Sequence, residues 1–569
     1  MAKKPANLMY GVDESPGVLS LILLGFQHIF VLSIAFVFPV VIVDSIHGSP
    51  LEAEHLISMA MFATGIATIL QGLNKGFIGS GYLCPLINGP AFLSASLLAG
   101  KAGGLSLIFG MTTIGGIFEG LFSRIVPRLR AVFPAEVTGT IVMMVGIEVI
   151  PVGVTRFVGI DAANPSPVSS AIAVGFITLS SMIGLNIWGK GKLRLYSVLF
   201  GMAVGYTAAL LAGELTAEHF RRLIDAPFFE LPKFGHYGLS FDIAVLVPFL
   251  VASLSSALKT MGDLTICQKI NDAEWKRPDM GSISRGILAN AAGNILSGLT
   301  GALGQSVSSS NVGLSIATGA TSRAIAYSIG GILIVSAFVP RLAYVFVIMP
   351  TPVMGASLIF AASFMILAGI QILMSRMMDA RKTFVIGVSV VFGLSLDLVP
   401  EVFRNVHPWI KPFFSSSLSL ATISAIIMNL IMRIGVKRSA HIELKPGVDS
   451  SDTIFDFMEH HGSEWGAFRD VVHRCASVIN EFFEIVSASG LARGTVKVDI
   501  TFDEFNLDAH VTYAGEPVTL AGAKKPEDIF LNDDYSNSEL ASLLIIKNAD
   551  SIKSSAKGDQ VTFHFHFNH

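Results

Sequence analysis

Ser310-Asn311-Val312-Gly313, followed by Thr318-Gly319-Ala320-Thr321-Ser322-Arg323, sets small and polar residues in an Asn-x-Gly-x-x-x-x-Thr-Gly spacing between long apolar segments. At hydrocarbon depth, irregular polar backbone is tolerated only where protein buries it or where it lines a cavity, so the stretch reads as part of a site. Around it, apolar runs recur from Val18 to about Met432, about fourteen of them against a need of ~20 residues per span. Their approximate limits are 17–43, 55–73, 84–100, 103–123, 136–154, 165–186, 193–213, 240–261, 284–303, 311–319, 324–347, 352–376, 381–398 and 414–434.

Two of these segments are short and have Gly- and Pro-broken approaches. Gly79-Ser80-Gly81-Tyr82-Leu83-Cys84-Pro85 and Asn88-Gly89-Pro90-Ala91-Phe92 lead through the third, and Gln305 to Gly313 lead into the tenth. Third and tenth stand seven apart, as two seven-span repeats of inverted topology require. Paired discontinuities in corresponding places are the sequence pointer to a binding site of the transporter kind.

Composition agrees: 52% of the residues are hydrophobic, 14% are charged and the mean hydropathy is +0.63, which excludes a soluble globular chain. The net charge of -3 gives no reason to expect nucleic acid as a partner. Cys84, Cys267 and Cys475 have no metal or redox spacing, and no Gly-x-x-x-x-Gly-Lys-Ser/Thr loop occurs, so neither a disulfide framework nor an ATP-driven pump is expected. The start, with Lys3 and Lys4, leads into an apolar stretch longer than a signal-peptide core, read as a retained first span.

Cations sort by loop parity. Arg124, Arg128 and Arg130 follow span four, Lys190, Lys192 and Arg194 span six, and Lys269, Lys276, Arg277 and Arg285 span eight; Arg323, then Arg376, Arg381 and Lys382, then Arg433, Lys437 and Arg438 follow spans ten, twelve and fourteen. The positive-inside rule makes these loops, and with them both termini, cytoplasmic.

At Gly435 the chain turns charged and polar. The expected division is a transmembrane domain over 1–435, a linker over 436–462 and a cytoplasmic α+β domain over 463–569. Trp465, Phe468, Val472, Ile479, Phe483 and Val486 fit an amphipathic helix, while Thr495 to Ile500 and Val561 to Phe567 alternate as strands do. His564, His566 and His569 raise the question of a metal. Because His564 and His566 alternate with Phe563, Phe565 and Phe567, solvated outward histidines are expected, and no metal or cofactor.

Several ordered motifs now carry a resemblance. Tyr10-Gly11-Val12-Asp13-Glu14, Gly25-Phe26-Gln27-His28, Met261-Gly262-Asp263, Asn311 and Gly313 with Thr318-Gly319 and Ser322-Arg323, and Pro350-Thr351-Pro352-Val353-Met354-Gly355 together resemble the nucleobase-ascorbate transporters, the uracil, xanthine and related permeases, from Tyr10 to about Arg438. The resemblance implies an α-helical polytopic protein with core and gate domains, an elevator-like movement, a homodimer, and a small-molecule substrate held between the half-helices of spans three and ten. Carried onto this chain, the site comprises Ala91 and Phe92, Ser309, Ser310, Asn311 and Gly313, His28 in span one, and Lys259 and Asp263 in span eight.

Three positions depart from the family. Lys259 stands where a carboxylate is usual, Ser310 where Gln or Glu is, and Asn290 where Asp is. Two readings of Lys259 are open: an ion pair with Asp263, one helical turn away, with the ammonium snorkelling to the cytoplasmic side, or direct contact with substrate. An ammonium donates and cannot accept, so in the second case an anion or a ring presenting carbonyl oxygens suits it. Asp263 and His28 are the candidates for proton coupling, although His28 has the competing role of tying span one to its neighbours.

In the tail, Asn480-Glu481 and Leu543-Leu544-Ile545-Ile546 with Ala549-Asp550 resemble, in degenerate form, the ATP-binding fold of anti-sigma and histidine kinases. Ile485 replaces the Asn one turn after the Glu, and Tyr513-Ala514-Gly515 is the remnant of an adenine-site loop, which implies a regulatory or dimerising module with a cytoplasmic partner. The expected protein is not an enzyme but a secondary transporter of a nucleobase or related heterocycle such as urate or xanthine, in the cell (inner) membrane. The rivals are a small-anion or carboxylate transporter on the same fold, and a ligand-sensing receptor signalling through the tail.

Overall fold

The computed structural model describes residues 4–6, 8–129, 132–160, 166–189, 196–273, 275, 278–374, 378–404, 406–407, 410–414, 416–503, 506–518 and 537–568. Lys3, Arg130, Lys190, Lys192, Arg194, Lys276, Arg277, Arg376 and His569, singled out above, lie outside them. The chain divides into two units, Met1–Asn429 and Leu430–His569.

In chain order the first unit is built from α1 (Val18–Leu32), α2 (Val37–Ser45), α3 (Pro50–Gly72), β1 (Leu86–Asn88), α4 (Leu93–Ile125), α5 (Ala135–Glu148), α6 (Ile150–Phe157), α7 (Ser169–Trp188), α8 (Ser197–Leu211), α9 (Ala217–Asp225), α10 (Leu246–Asn271), α11 (Met280–Thr300), β2 (Gln305–Val307), α12 (Ser309–Thr318), α13 (Arg323–Ser336), α14 (Pro340–Val347), α15 (Thr351–Leu373), α16 (Ala380–Leu398) and α17 (Ser417–Met432). Each of the fourteen apolar segments has a helical counterpart. Among the described residues, seven helical stretches are long and apolar enough to cross a membrane, or eight if α13 and α14, bent by 86°, make one span; α8 and α17 are shorter apolar helices.

Local chemistry sets the boundaries. Ser49 caps α3 by accepting from the Glu52 N–H at 3.3 Å while the Glu52 carboxylate accepts from the Ser49 N–H at 2.6 Å, with Pro50 at the first helical position. Asp279 caps α11 through the N–H groups of Gly281 and Ser282, and Gly301 closes it at φ 94°. Inside α4, Gly103 and Gly104 leave helical geometry, Gly104 at φ 71° and ψ −162°, which separates the third span from the fourth.

The helices sort into two groups. α1, α3, α4, α10, α11 and α13 pack on one another, whereas α5 to α8 pack with α15, α16 packs on α5, and α17 lies against Gly393 of α16. These are the core and gate divisions of the fold. Close approach within the core rests on small residues: a Cβ at Gly298 of α11 would collide with Thr113 Oγ1 and lie 2.5 Å from the Phe109 carbonyl of α4. Gly298→Ala is therefore expected to force the two helices apart and destabilise by about 1–3 kcal/mol. Gly331→Ala on α13, where an added Cβ meets nothing, serves as the control and should be neutral or stabilising. Thermal unfolding of the two purified variants checks this, and equal melting temperatures would refute the packing argument.

The second unit is a five-stranded antiparallel sheet of order β3-β4-β5-β7-β6, made of β3 (Arg438–Leu444), β4 (Val496–Phe502), β5 (Asn506–Ala514), β6 (Ser551–Lys557) and β7 (Gln560–Asn568). With it fold α18 (Ser451–Trp465), α19 (Arg469–Ala488) and α20 (Asn537–Asn548). Val496, Val498 and Ile500, then Leu507, Ala509 and Val511, then Phe563, Phe565 and Phe567 share one core with Ile479 and Phe482 of α19. The expectation of a linker over 436–462 is corrected: this stretch holds β3, registered on β4 from Arg438↔Phe502 to Leu444↔Val496, and α18. An edge strand that fully buries only Leu444 and a helix that buries only Ile454, Met458 and Gly462 carry too little apolar signal to be seen in the sequence.

The nucleotide-site remnants in this unit are engaged otherwise. Asn480 accepts from Ser451 Oγ at 2.7 Å and donates to Glu484 at 3.1 Å, and the Tyr513 hydroxyl donates to the Glu516 carbonyl at 2.9 Å.

Candidate functional site

The third and tenth spans each begin as extended chain, and the two extended pieces satisfy each other. β1 and β2 pair antiparallel with Leu86 opposite Val307, Ile87 opposite Ser306 and Asn88 opposite Gln305. The Gly89 N–H donates to the Gly304 carbonyl at 2.8 Å and the Ser308 N–H to the Pro85 carbonyl at 2.9 Å, so the breaks are closed on both sides. After them the chain starts α4 and α12, whose first turns present backbone N–H groups without intrahelical partners. The extended backbone of the two breaks is thus paired strand to strand inside the bundle.

Lys259 of α10 is buried and donates to the Val307 carbonyl at 2.7 Å, one residue before the chain turns into α12. Asp263, one turn on, accepts from Ser309 Oγ at 2.8 Å. Lys259 is buried and does not snorkel to solvent, and although no N···O contact within 4.0 Å joins it to Asp263, the two charges stay within electrostatic reach one helical turn apart. The tertiary fold offers each group a nearer polar partner at the break. Of the three ammonium donors, one is used by Val307.

His28 Nδ1 lies 2.7 Å from Asn311 Oδ1, and Asn311 Nδ2 donates to Ser308 Oγ at 2.9 Å. With the amide nitrogen thus engaged, the network assigns the proton to His28 Nδ1, and the histidine ties span one to the start of α12. Its Nε2 is buried without a protein partner. Buried polar atoms in the same condition line the strands: both amide atoms of Asn88, Ser306 Oγ and Gln305 Oε1. Such groups normally find partners, which marks the strand crossing as a place for polar ligands.

The remaining expected site residues divide. Ala91 and Phe92 are buried; the Phe92 ring covers Gly304 so closely that any side chain there would collide, and it lies 6.4 Å from the ring of Phe249. Ser309 joins the cluster through Asp263. Ser310 and Gly313 are exposed, and a Cβ at Gly313 would meet nothing. Two resemblance motifs some three hundred residues apart dock together: the Tyr10 N–H donates to the Gly319 carbonyl at 3.0 Å, the Thr321 N–H to the Tyr10 carbonyl at 2.9 Å, and Arg323 pairs with Asp13.

One group escaped the sequence reading. Glu119 of α4 has no exposed surface; its two oxygens accept from Asn290 Nδ2 at 2.6 Å and Asn294 Nδ2 at 2.7 Å. Asn290 also donates to Ser256 Oγ at 2.7 Å, Ser256 donates to the Gln305 carbonyl at 3.0 Å, and Asn294 Oδ1 accepts from the Gln305 N–H at 2.5 Å. A buried carboxylate is thereby wired through neutral donors to β2. The signal was available, since an acidic residue inside an apolar span is a functional candidate by default. Glu148, at the end of α5, is a second such carboxylate, buried beside Ser94 of α4 and Ser416.

The chain is similar to known permeases. The Permease family model Xan_ur_permease matches residues 19–402. The chain is 30% identical over 434 residues to the putative purine permease CPE0397 of Clostridium perfringens (strain 13 / Type A), covering 75% of this chain and 93% of that protein. It is 26% identical over 442 residues to the xanthine permease XanP of Escherichia coli (strain K12), covering 75% and 95%. With the nucleobase transporter PlUacP of Paenibacillus larvae subsp. larvae (strain NRRL B-3650 / LMG 16245) the identity is 26% over 420 residues, covering 73% and 95%. Among solved structures, SLC26A9 superposes with a TM-score of 0.51 at 10% identity, over 76% of this chain and 68% of that one, which is a likeness of fold.

Proposed function

Because the chain belongs to the xanthine and uracil permease family, a family of multi-pass membrane transporters and not of enzymes, we propose that it carries a nucleobase-like heterocycle presenting carbonyl or anionic oxygens, such as urate or xanthine. The cargo is bound where β1–α4 and β2–α12 cross. The single observation that carries this is the Lys259 ammonium, buried at the break and bonded to the Val307 carbonyl. A fixed donor there complements an oxygen acceptor, as a carboxylate would complement ring N–H groups.

Movement of the core past the gate in an elevator-like cycle, a homodimer, residence in the cell (inner) membrane with cytoplasmic termini, and regulation through the tail belong to the same proposal. The grouping of the helices supports the movement, the parity of the cations the orientation and the separate tail unit the regulation, while the homodimer follows from the family resemblance alone. His28 is the weaker coupling candidate because its Nδ1 is committed to Asn311. Asp263 and Glu119 are the carboxylates available to exchange a proton near the site.

The test is uptake into proteoliposomes containing the purified protein, with labelled urate, xanthine, uracil and adenine, each repeated with competing bicarbonate, chloride and small carboxylates. Saturable uptake of xanthine or urate, uninhibited by simple anions, is the expected result. Uptake of simple anions alone would replace this reading by that of an anion carrier on the same fold. Ligand binding without any flux would favour a receptor.

A further inference from the structure

The outer face of the tail sheet collects histidines that the chain keeps far apart. β5 and β7 are registered with Asp508 opposite His566 and His510 opposite His564. The same row continues through Asp499 on β4 to His441 on β3, and on the other side to Lys553 on β6. Alternation along each strand sends Leu507, Ala509, Phe563, Phe565 and Phe567 into the core, so the polar partners between them stand together on the opposite face, each half-buried.

At the centre, His564 Nε2 lies 2.8 Å and His566 Nδ1 2.7 Å from one carboxylate oxygen, Asp508 Oδ1. One donor atom from each residue lies within 4.8 Å of the others. The His510 ring stacks on His564, with centroids 4.4 Å apart and planes 8° apart, and holds that imidazole in place.

We propose that this cluster binds one divalent transition-metal ion of the zinc class through His564 Nε2, His566 Nδ1 and the Asp508 carboxylate. Two imidazoles and one carboxylate suit zinc and its neighbours in the first transition row, and not calcium or magnesium, which take oxygen ligands. Bonds of roughly 2.0–2.1 Å in tetrahedral geometry put donors roughly 3.3 Å apart. Reaching that spacing from the present contacts is a matter of side-chain rotation at the three residues. The ring protons now aimed at Asp508 transfer through solvent to His564 Nδ1 and His566 Nε2, so both imidazoles stay neutral. The fourth position is open to water or to an outside ligand.

Cys475 is buried in the core, so no thiolate competes for the ion from this unit. The ion would staple β5 to β7, and this inference is independent of which substrate the permease carries.

The experiment uses the full-length protein purified without a polyhistidine tag, stripped with chelator and dialysed against zinc, with bound metal measured by elemental analysis and affinity by competition with a chromophoric chelator. Cobalt(II) is the spectroscopic probe. The expected result is one equivalent of zinc, a tetrahedral cobalt spectrum without thiolate charge transfer, and at least tenfold weaker binding in Asp508→Asn and in His566→Gln. A second group, His460, His461 and Glu464 on α18, is the internal control. His460→Ala/His461→Ala should leave the equivalent in place. Absence of stoichiometric binding, or an equivalent lost only in the α18 variant, or equal binding by wild type and both sheet variants would overturn the assignment. Both sheet variants are outside the apolar core, and an unchanged melting temperature in metal-free buffer verifies that each is folded.

Discussion

Lys259→Met is expected to weaken binding of urate and xanthine by about 10- to 100-fold while leaving rings that present mainly N–H groups nearly unaffected. A hydrogen bond to a charged group contributes roughly 1.5–3 kcal/mol, and ~1.4 kcal/mol is one factor of ten. The ammonium is the only cation at the strand crossing among the described residues, so no neighbour replaces it. Lys259→Glu should go further, abolishing binding of the anionic ligand, because the new carboxylate would face both that ligand and the Val307 carbonyl. Ligand-induced shifts in melting temperature across a panel of purines and pyrimidines give the measurement. A uniform loss across the panel, with a lower melting temperature of the free protein, would make Lys259 a strut for β2 and sink its role in selection.

Glu119→Leu should destabilise the membrane unit by about 2–5 kcal/mol, since the Asn290 and Asn294 amides would each lose a buried acceptor at roughly 1–3 kcal/mol. Loss of transport should accompany it, because Asn294 fixes the Gln305 backbone and with it β2. Glu119→Gln should cost about 1–2 kcal/mol. Asn290 Oδ1 has no partner, so that amide can turn to accept from the new glutamine nitrogen, whereas Asn294 is locked by Gln305. Adding Asn290→Leu to Glu119→Leu should recover part of the lost stability, a coupling that a double-mutant cycle by thermal unfolding would read. Strictly additive effects would show that the carboxylate and the amide do not act on each other.

The resemblance motifs located the broken helices and named most of the residues that gather there: Asn311, Ser309, Asp263, Lys259 and His28. Ser310 and Gly313, which lie within the same motif, are exposed and make no contact with this buried cluster that the motif could have announced. In the tail, the alternation of His564 and His566 with phenylalanines predicted the outward face but not its occupant, because Asp508 lies on another strand. β3 and α18 were hidden because their exposed faces are charged and their buried ones are small.

What the sequence determined by itself is local or periodic: spans from runs of apolar residues, breaks from glycine and proline, helix starts from Ser49 and Asp279, tail strands from alternation. These depend on neighbours a few residues away, where backbone geometry leaves few choices. Tertiary structure alone decided which polar group meets which. Lys259 finds Val307 across 48 residues, Glu119 finds Asn290 across 171, His28 finds Asn311 across 283, and Asp508 finds His566 across 58. A buried donor or acceptor must be paired, but its own residue type does not specify with whom; the packing of the helices and the register of the strands supply that choice.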